Sequence, residues 1–338
     1  MSNIRLGQTI DDYELVNGET YLSELCAHLR DRKKGAETIE VELGKLHIDE
    51  DGSLYYDGER LLGLDDEGYY KLSSVANIPT AYLMRLNNRM KIVNLEYWFR
   101  VLSEKKVSLS YGNGELVDVH VGIEIDMLDV LEKVAERMEV PKVFKVFNQT
   151  NTTIIDIYDE AESYDTSYDS YYAGLRVLIK KGLFAPEISP MFLNMNTCGI
   201  IECSSYLDAL GIKGLAYDEI MDAVGARISN CLHATDTLFA TYKDMCTQEV
   251  ENARRRVHHY CEEHNIPERV VAYALDALEE AHLKAATYED IINLFGSLGY
   301  VDEVKQSSER KLQQLAGYII VSKSEKRCQT CDSILLEE

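Results

Sequence analysis

Two cysteines near the end of the chain, Cys328 and Cys331, stand as C-x-x-C in EKRCQTCDSILLEE. Thiolates at this spacing supply half of a tetrahedral zinc site. The chain has no second C-x-x-C, so the other two ligands must come from elsewhere. Cys261 and His264 have suitable chemistry and share one face of the helix expected around them, with His258 and His259 one turn earlier. One expectation is therefore a Cys3His zinc site joining the end of the chain to that helix. The other is a pair of reduced cysteines. A thioredoxin-type role needs a strand–CxxC–helix setting that the sequence does not offer.

The second chemical pattern is cations beside aromatic rings. Arg85, Arg89 and Lys91 lead to Trp98, Arg100, Lys105 and Lys106; Arg176, Lys180 and Lys181 flank a strand; Arg254, Arg255 and Arg256 precede the histidine pair. Single-strand nucleic-acid grooves stack bases on rings and pair phosphates with such cations. A groove lined by Arg85, Arg89, Lys91, Arg176, Lys180 and Lys181, with Trp98 or Tyr82 stacking, is the site this pattern predicts. The competing reading is that each cluster neutralises neighbouring acids.

Known catalytic signatures are absent. The sequence has no GxxxxGK[ST] loop, no GxGxxG between strand and helix, no HExxH and no GxSxG. Carboxylates are so abundant that pairs drawn on sequence alone carry no meaning.

A length of 338 residues predicts about two domains, and 46% apolar with 28% charged residues is ordinary for a globular protein. The net charge of −23 repels nucleic acid at long range, so any such binding requires a local basic patch or an oligomer. The N-terminus lacks the zones of a signal peptide, and no apolar run reaches the roughly 20 residues of a membrane span. A cytoplasmic protein with no membrane role is the expectation. Eight scattered cysteines do not make a disulfide framework. Cys26, Cys198, Cys203, Cys231, Cys246 and Cys261 read as small buried hydrophobes.

The elements that must position these residues divide into four stretches. Residues 1–106 are mixed, with a strand over Thr38–Ile48, a hairpin after Asp51-Gly52, and helices after Pro79 and over Leu95–Leu102. Residues 107–215 read as an α+β core: a hairpin around Gly112-Asn113-Gly114, a helix capped by Asp126, and a second hairpin turning near Asn148–Asn151. Within it, Asp156–Tyr172 holds six acids and no base, with five tyrosines between them. It reads as a solvated acidic loop or a partner-binding one. Residues 216–318 form a helical domain, beginning with nearly fifty residues in one helix or two, continuing with helices after Pro267 and Thr287, and ending at Gly317. Residues 319–338 form the CxxC tail. The fold class is α+β, with antiparallel hairpins and helices in the first two thirds and a helical C-terminal domain.

The segment AGLRVLIKKGLFAPEISPMFLNMNTCGIIECSS resembles the core of a broad family of phage and plasmid proteins. In that family a strand of the type xGLxIxNSExG precedes a stretch of the type RLxCxNGMV. Here Gly174–Lys181 and Asn194–Ile201 stand in those places, and IPTAYLMRL matches a helix further upstream. The chain departs from the family in having IKKG and MNTCGII, and it lacks the usual His-Thr-Gly beyond. The likeness covers Ser73 to Met245. It implies a protein of mobile elements, near replication and recombination, with a further likeness to single-strand annealing proteins that oligomerise on DNA. The resulting expectation is a non-enzymatic, homo-oligomeric protein binding single-stranded nucleic acid. The alternative is an acidic structural or interaction protein with a phage or host partner, either a virion component or an inhibitor of a host defence protein. Its contact surface would be Asp156–Tyr172.

Overall fold

The computed structural model describes residues 13–14, 20–120, 125–149, 152–180, 185–204, 207, 210–211, 215–280, 286–298 and 306–336. Its centre is an antiparallel sheet in the order β1 (Tyr13–Glu14), β9 (Pro141–Gln149), β10 (Thr152–Asp165), β11 (Ser170–Lys180), β12 (Glu187–Asn194), β13 (Ile200–Glu202), with β2 (Thr20–Tyr21) also pairing β9. Alternation decides its faces. Val143, Ile155, Ile157, Leu175, Val177 and Ile188 pack under α1 (Leu22–Lys33), α5 (Met127–Ala135) and the first half of α6 (Tyr217–Cys246). Tyr171, Phe192, Ile201 and Cys203 join a second core. There they meet the later half of α6 with α7 (Ala253–Glu263), α8 (Glu268–Glu280), α9 (Tyr288–Ser297) and α10 (Gln306–Leu336).

The first part of the chain builds its own core. Strands β3 (Glu37–Glu42), β7 (Lys106–Gly112) and β8 (Glu115–His120) form one small sheet, and β4 (Leu46–Ile48), β5 (Ser53–Tyr56) and β6 (Glu59–Gly63) another. Helices α2 (Asp66–Val75), α3 (Thr80–Met84) and α4 (Asn88–Val101) pack with them around Leu54, Leu72, Leu95, Phe99 and Leu109. Side-chain caps start α2 and α4: Asp65 accepts from the Gly68 amide at 2.7 Å and Asn87 from that of Met90 at 3.0 Å.

The α+β class and the helical C-terminal region are present. Three local expectations change. The hairpin at Asn113-Gly114, whose backbone is left-handed at both residues, forms as expected. However, it pairs with β3 of the first part rather than with the strands that follow it, because Val41 meets Val107 and Ile39 meets Leu109 across that ladder. The pairing crosses the boundary drawn at residue 107. The helix expected to end at Gly317 runs through it to Leu336, so residues 319–336 continue α10 instead of forming a tail. Cys198 is exposed at a turn, with φ at +58°, and is not a core residue.

Glycine at 317 serves a close approach instead. A Cβ there would lie 2.0 Å from the Glu202 carbonyl oxygen, and one on Gly296 would lie 3.1 Å from that of Ile200. Helices α10 and α9 thus press their backbones onto β13. Gly317→Ala is expected to destabilise the protein by about 1–3 kcal/mol, as overpacking does. Urea denaturation measures it; an unchanged midpoint would show that this approach is slack.

Candidate functional site

The predicted cationic residues do not meet in one groove. Arg176, Lys91 and Lys180 each answer a carboxylate instead, and the most elaborate of these arrangements lies inside the molecule.

On the large sheet, Lys145, Asp156, Arg176 and Ser189 stand directly opposite one another across β9, β10, β11 and β12. All four are buried. The Arg176 guanidinium grips Asp156 through Nε and Nη2, at 2.6 and 2.8 Å. Its Nη1 donates to Glu202 Oε2 at 2.6 Å and to Gln313 Oε1 at 2.7 Å. Helix α10 completes the set. Lys145 Nζ lies 2.5 Å from Glu309 Oε1, Gln313 Nε2 donates to the same oxygen at 3.2 Å, and Arg310 Nη2 and Gln314 Nε2 both reach Glu202 Oε1 at 3.1 Å. Three cations therefore face three carboxylates, with amides filling the remaining positions.

Burial opposes charge at Arg176, Glu202 and Lys145. It is outweighed at Arg176, whose pKa is held above its ordinary value by Asp156 and Glu202. It is likewise outweighed at Glu202, held below the usual carboxylate range by Arg176 and Arg310. At Lys145 burial prevails over Glu309 and lowers the pKa. An enclosed, internally matched set offers no open position to a substrate or a phosphate, and its chemistry is that of a bolt between sheet and helix.

Lys91 is also buried, 2.6 Å from Asp66. Lys180 lies 2.5 Å from Glu187. Lys181 lies outside the described residues. Trp98 packs partly into the first core, edge-on to Tyr97 with centroids 5.7 Å apart. Only Arg85 and Arg89 remain exposed without an ion-pair partner among the described residues, beside the half-exposed ring of Tyr82.

Of the expected zinc set, only the Cys261 and His264 side chains are described. Cys261 is fully buried among apolar side chains, and burial pushes its thiol up to about 12. The His264 ring lies against Tyr318, centroids 4.5 Å apart. The Cys328 and Cys331 side chains lie outside the described residues. Among the described residues no three His, Cys, Asp or Glu side chains are grouped to hold a metal.

The Asp156–Tyr172 stretch is not a loop. It is the later part of β10, a turn at 166–169 and the start of β11; Asp156, Tyr158, Asp159 and Tyr171 are buried, whereas Glu160, Glu162, Asp165 and Tyr168 are exposed. Asp159 accepts the Glu139, Val140 and Ala161 amides at 2.7, 2.8 and 3.1 Å. Tyr164 stacks on Phe239 and donates to Asp236 at 2.7 Å. The Tyr171 hydroxyl lies 2.8 Å from that of Tyr242 and 2.9 Å from Asn293 Oδ1. Asp169 accepts from Asn196 at 2.7 Å and Asn293 at 3.0 Å, so the hairpin tip is held from both sides. Beside it, buried Glu289 takes Thr166 Oγ1 at 2.6 Å, while its Oε2 has no hydrogen-bond partner. Of the five tyrosines only Tyr168 stands well out, at 77% exposure.

The surface that sequence reasoning missed is the outward side of α4. Lys91, Leu95 and Phe99 face the core. Met90, Val93, Tyr97 and Val101 face solvent, 43%, 53%, 61% and 53% exposed. Their spacing of three, four and four residues makes a single stripe, flanked by exposed Arg89 and Arg100. The signal was present in LEYWFRVL and MKIV, where apolar residues recur on both sides of the helix.

No protein-family model, curated protein or solved structure matches this chain. Among the described residues no helix is long and apolar enough to cross a membrane.

Two expectations follow. Arg176→Met leaves Asp156 and Glu202 buried beside too little positive charge and should cost about 3–5 kcal/mol in urea denaturation. Lys180→Ala, in a half-exposed pair, should cost under about 1 kcal/mol; equal effects would refute the distinction. Glu289 has its pKa raised by burial, offset in part by Thr166 and reinforced by Asp169 and Asp290. A raised carboxyl pKa gives stability that is present below the unfolded value of about 4.3 and is lost as pH rises through the folded value. Glu289→Gln should therefore gain in melting temperature relative to the parent between pH 4.5 and pH 8, a difference that differential scanning fluorimetry resolves.

Proposed function

We propose that this chain is a non-enzymatic docking protein whose first part offers the outward face of α4 to a macromolecular partner. The observation that carries this reading is the stripe of Met90, Val93, Tyr97 and Val101. Helices on the surface of a monomer turn polar residues outward, and contiguous exposed apolar residues mark contact surfaces. The reading keeps the partner-binding alternative drawn from the sequence, but moves its contact surface from Asp156–Tyr172 to α4. Tyr164 and Tyr171 of that hairpin are committed to internal contacts, so deleting it would disturb the neighbouring core as well as any binding. Either a virion component or an inhibitor of a host protein is compatible with such a surface, as is the resemblance to mobile-element proteins.

Binding of single-stranded nucleic acid is the second reading, and the exposed Arg85, Arg89, Tyr82 and Tyr97 are what favour it. It is the weaker one, because Arg176 and Lys91 are enclosed and Met90, Val93 and Val101 have no ring on which a base could stack.

Position-specific photocrosslinking tests the reading. A crosslinker at Val93 should give a discrete adduct in cells, abolished by Tyr97→Asp, while one at Tyr168 gives none. Tyr97→Asp itself should alter stability by no more than about 0.5 kcal/mol, since the ring is exposed. Retention of a short oligodeoxynucleotide at about 50 mM salt, lost in Arg85→Glu with Arg89→Glu, would replace the docking reading with the nucleic-acid one.

A further inference from the structure

We propose that the occupant of the α4 face is an acidic amphipathic helix of a partner protein. This rests on the docking reading above and adds the chemistry of what docks.

The stripe is built for a helix. From Met90 to Val101 it spans twelve residues, about 16 Å along the axis, and its three-four-four spacing is the counterpart of the i, i+3, i+7 anchors of a helix seated on another. An irregular peptide would leave unpaired backbone groups against this apolar surface, whereas a helix satisfies its own.

Charge selects among helices. At 100° per residue, Arg89 and Arg100 fall on one flank of the stripe and Asn94 on the other. Arg85, at the end of α3, is a further exposed cation, and it and Arg89 have no carboxylate partner among the described residues. Arg100 has Glu96 at 3.5 Å, but Glu96 is already committed: its Oε1 accepts the Ile48 amide at 2.8 Å and lies 3.1 Å from His47 Nδ1. In a chain of net charge −23, this is a cationic margin around an apolar strip. Its complement carries leucine-like residues on one face and aspartate or glutamate beside them.

A second copy of the chain fits less well. Two-fold antiparallel pairing of α4 with itself brings like flanks together, so Arg89 and Arg100 would face Arg100 and Arg89 of the other copy. The overall charge adds repulsion between copies.

The test is a selection from displayed helical peptides, about 18 residues long, with outward positions randomised. The full-length chain is the bait and Tyr97→Asp is the counter-selection. The expected result is enrichment of amphipathic sequences rich in Asp and Glu. Fluorescence anisotropy should then show binding weakened at least about tenfold in Arg89→Glu with Arg100→Glu, and recovered with a peptide whose acids are exchanged for lysine. Enriched peptides that depend on Tyr97 but carry no acidic bias would overturn the partner chemistry and leave the docking reading standing. Absence of any Tyr97-dependent peptide would overturn both. Sedimentation showing a dimer that Tyr97→Asp converts to monomer would assign the face to a second copy, and an oligonucleotide bound through Arg85 and Arg89 would assign it to nucleic acid; either defeats the proposal. Circular dichroism of each variant confirms that it is folded.

Discussion

Arg176 fixes the relation between the sheet and its last helix. A guanidinium with five donors in one plane can hold Asp156 on the neighbouring strand with two of them and still reach Glu202 and Gln313 with another. Each of those acceptors lies on a different element. The strand pairing puts Lys145, Asp156, Arg176 and Ser189 in one row, and this row gives α10 a position it can satisfy in only one register. A shift of one residue along α10 would separate Glu309 from Lys145 and Gln313 from Arg176, leaving charges buried without partners. Apolar packing alone tolerates such sliding far better. The lattice therefore contributes specificity of arrangement, and the glycine contacts at Gly317 and Gly296 then let both helices settle onto β13.

The same lattice explains why Arg176 is enclosed rather than lining the groove that the cations suggested. A chain with 58 acids and 35 bases has carboxylates near almost every cation, and the buried cations find theirs first because an unpaired buried charge is so costly. What remains on the surface is decided by elimination. Arg89 and Arg100 stay exposed because α4 turns that side away from the first core, and Arg85 is exposed at the end of α3. The apolar stripe between them gives these residues a common setting, which scattered surface cations lack.

The hairpin rich in tyrosine and aspartate illustrates how composition misleads. Six acids and five tyrosines without a base read as a solvated stretch, yet Asp156 lies in the ion lattice, Asp159 caps three backbone amides, and Tyr164 and Tyr171 belong to an aromatic cluster with Phe239 and Tyr242. Polar side chains become internal wherever partners of the right geometry meet them, and those partners lie some 70 to 120 residues away.

Local pattern by itself determined the elements. The left-handed turn at Asn113-Gly114, the caps at Asp126 and Thr287, the helix bearing Trp98 and the paired strands β9 and β10 are set by residues within a few positions of one another, and these appear where the sequence places them. Tertiary structure alone decided which strand the 107–120 hairpin joins, that α10 continues through Gly317, that Cys261 is enclosed in the helical core, and which side of α4 faces water. In each case the deciding partner is distant in the chain: β3 for the hairpin, the Glu202 backbone for Gly317, the helical core for Cys261. Periodicity reports that a residue lies on a face, but only packing reports what that face meets.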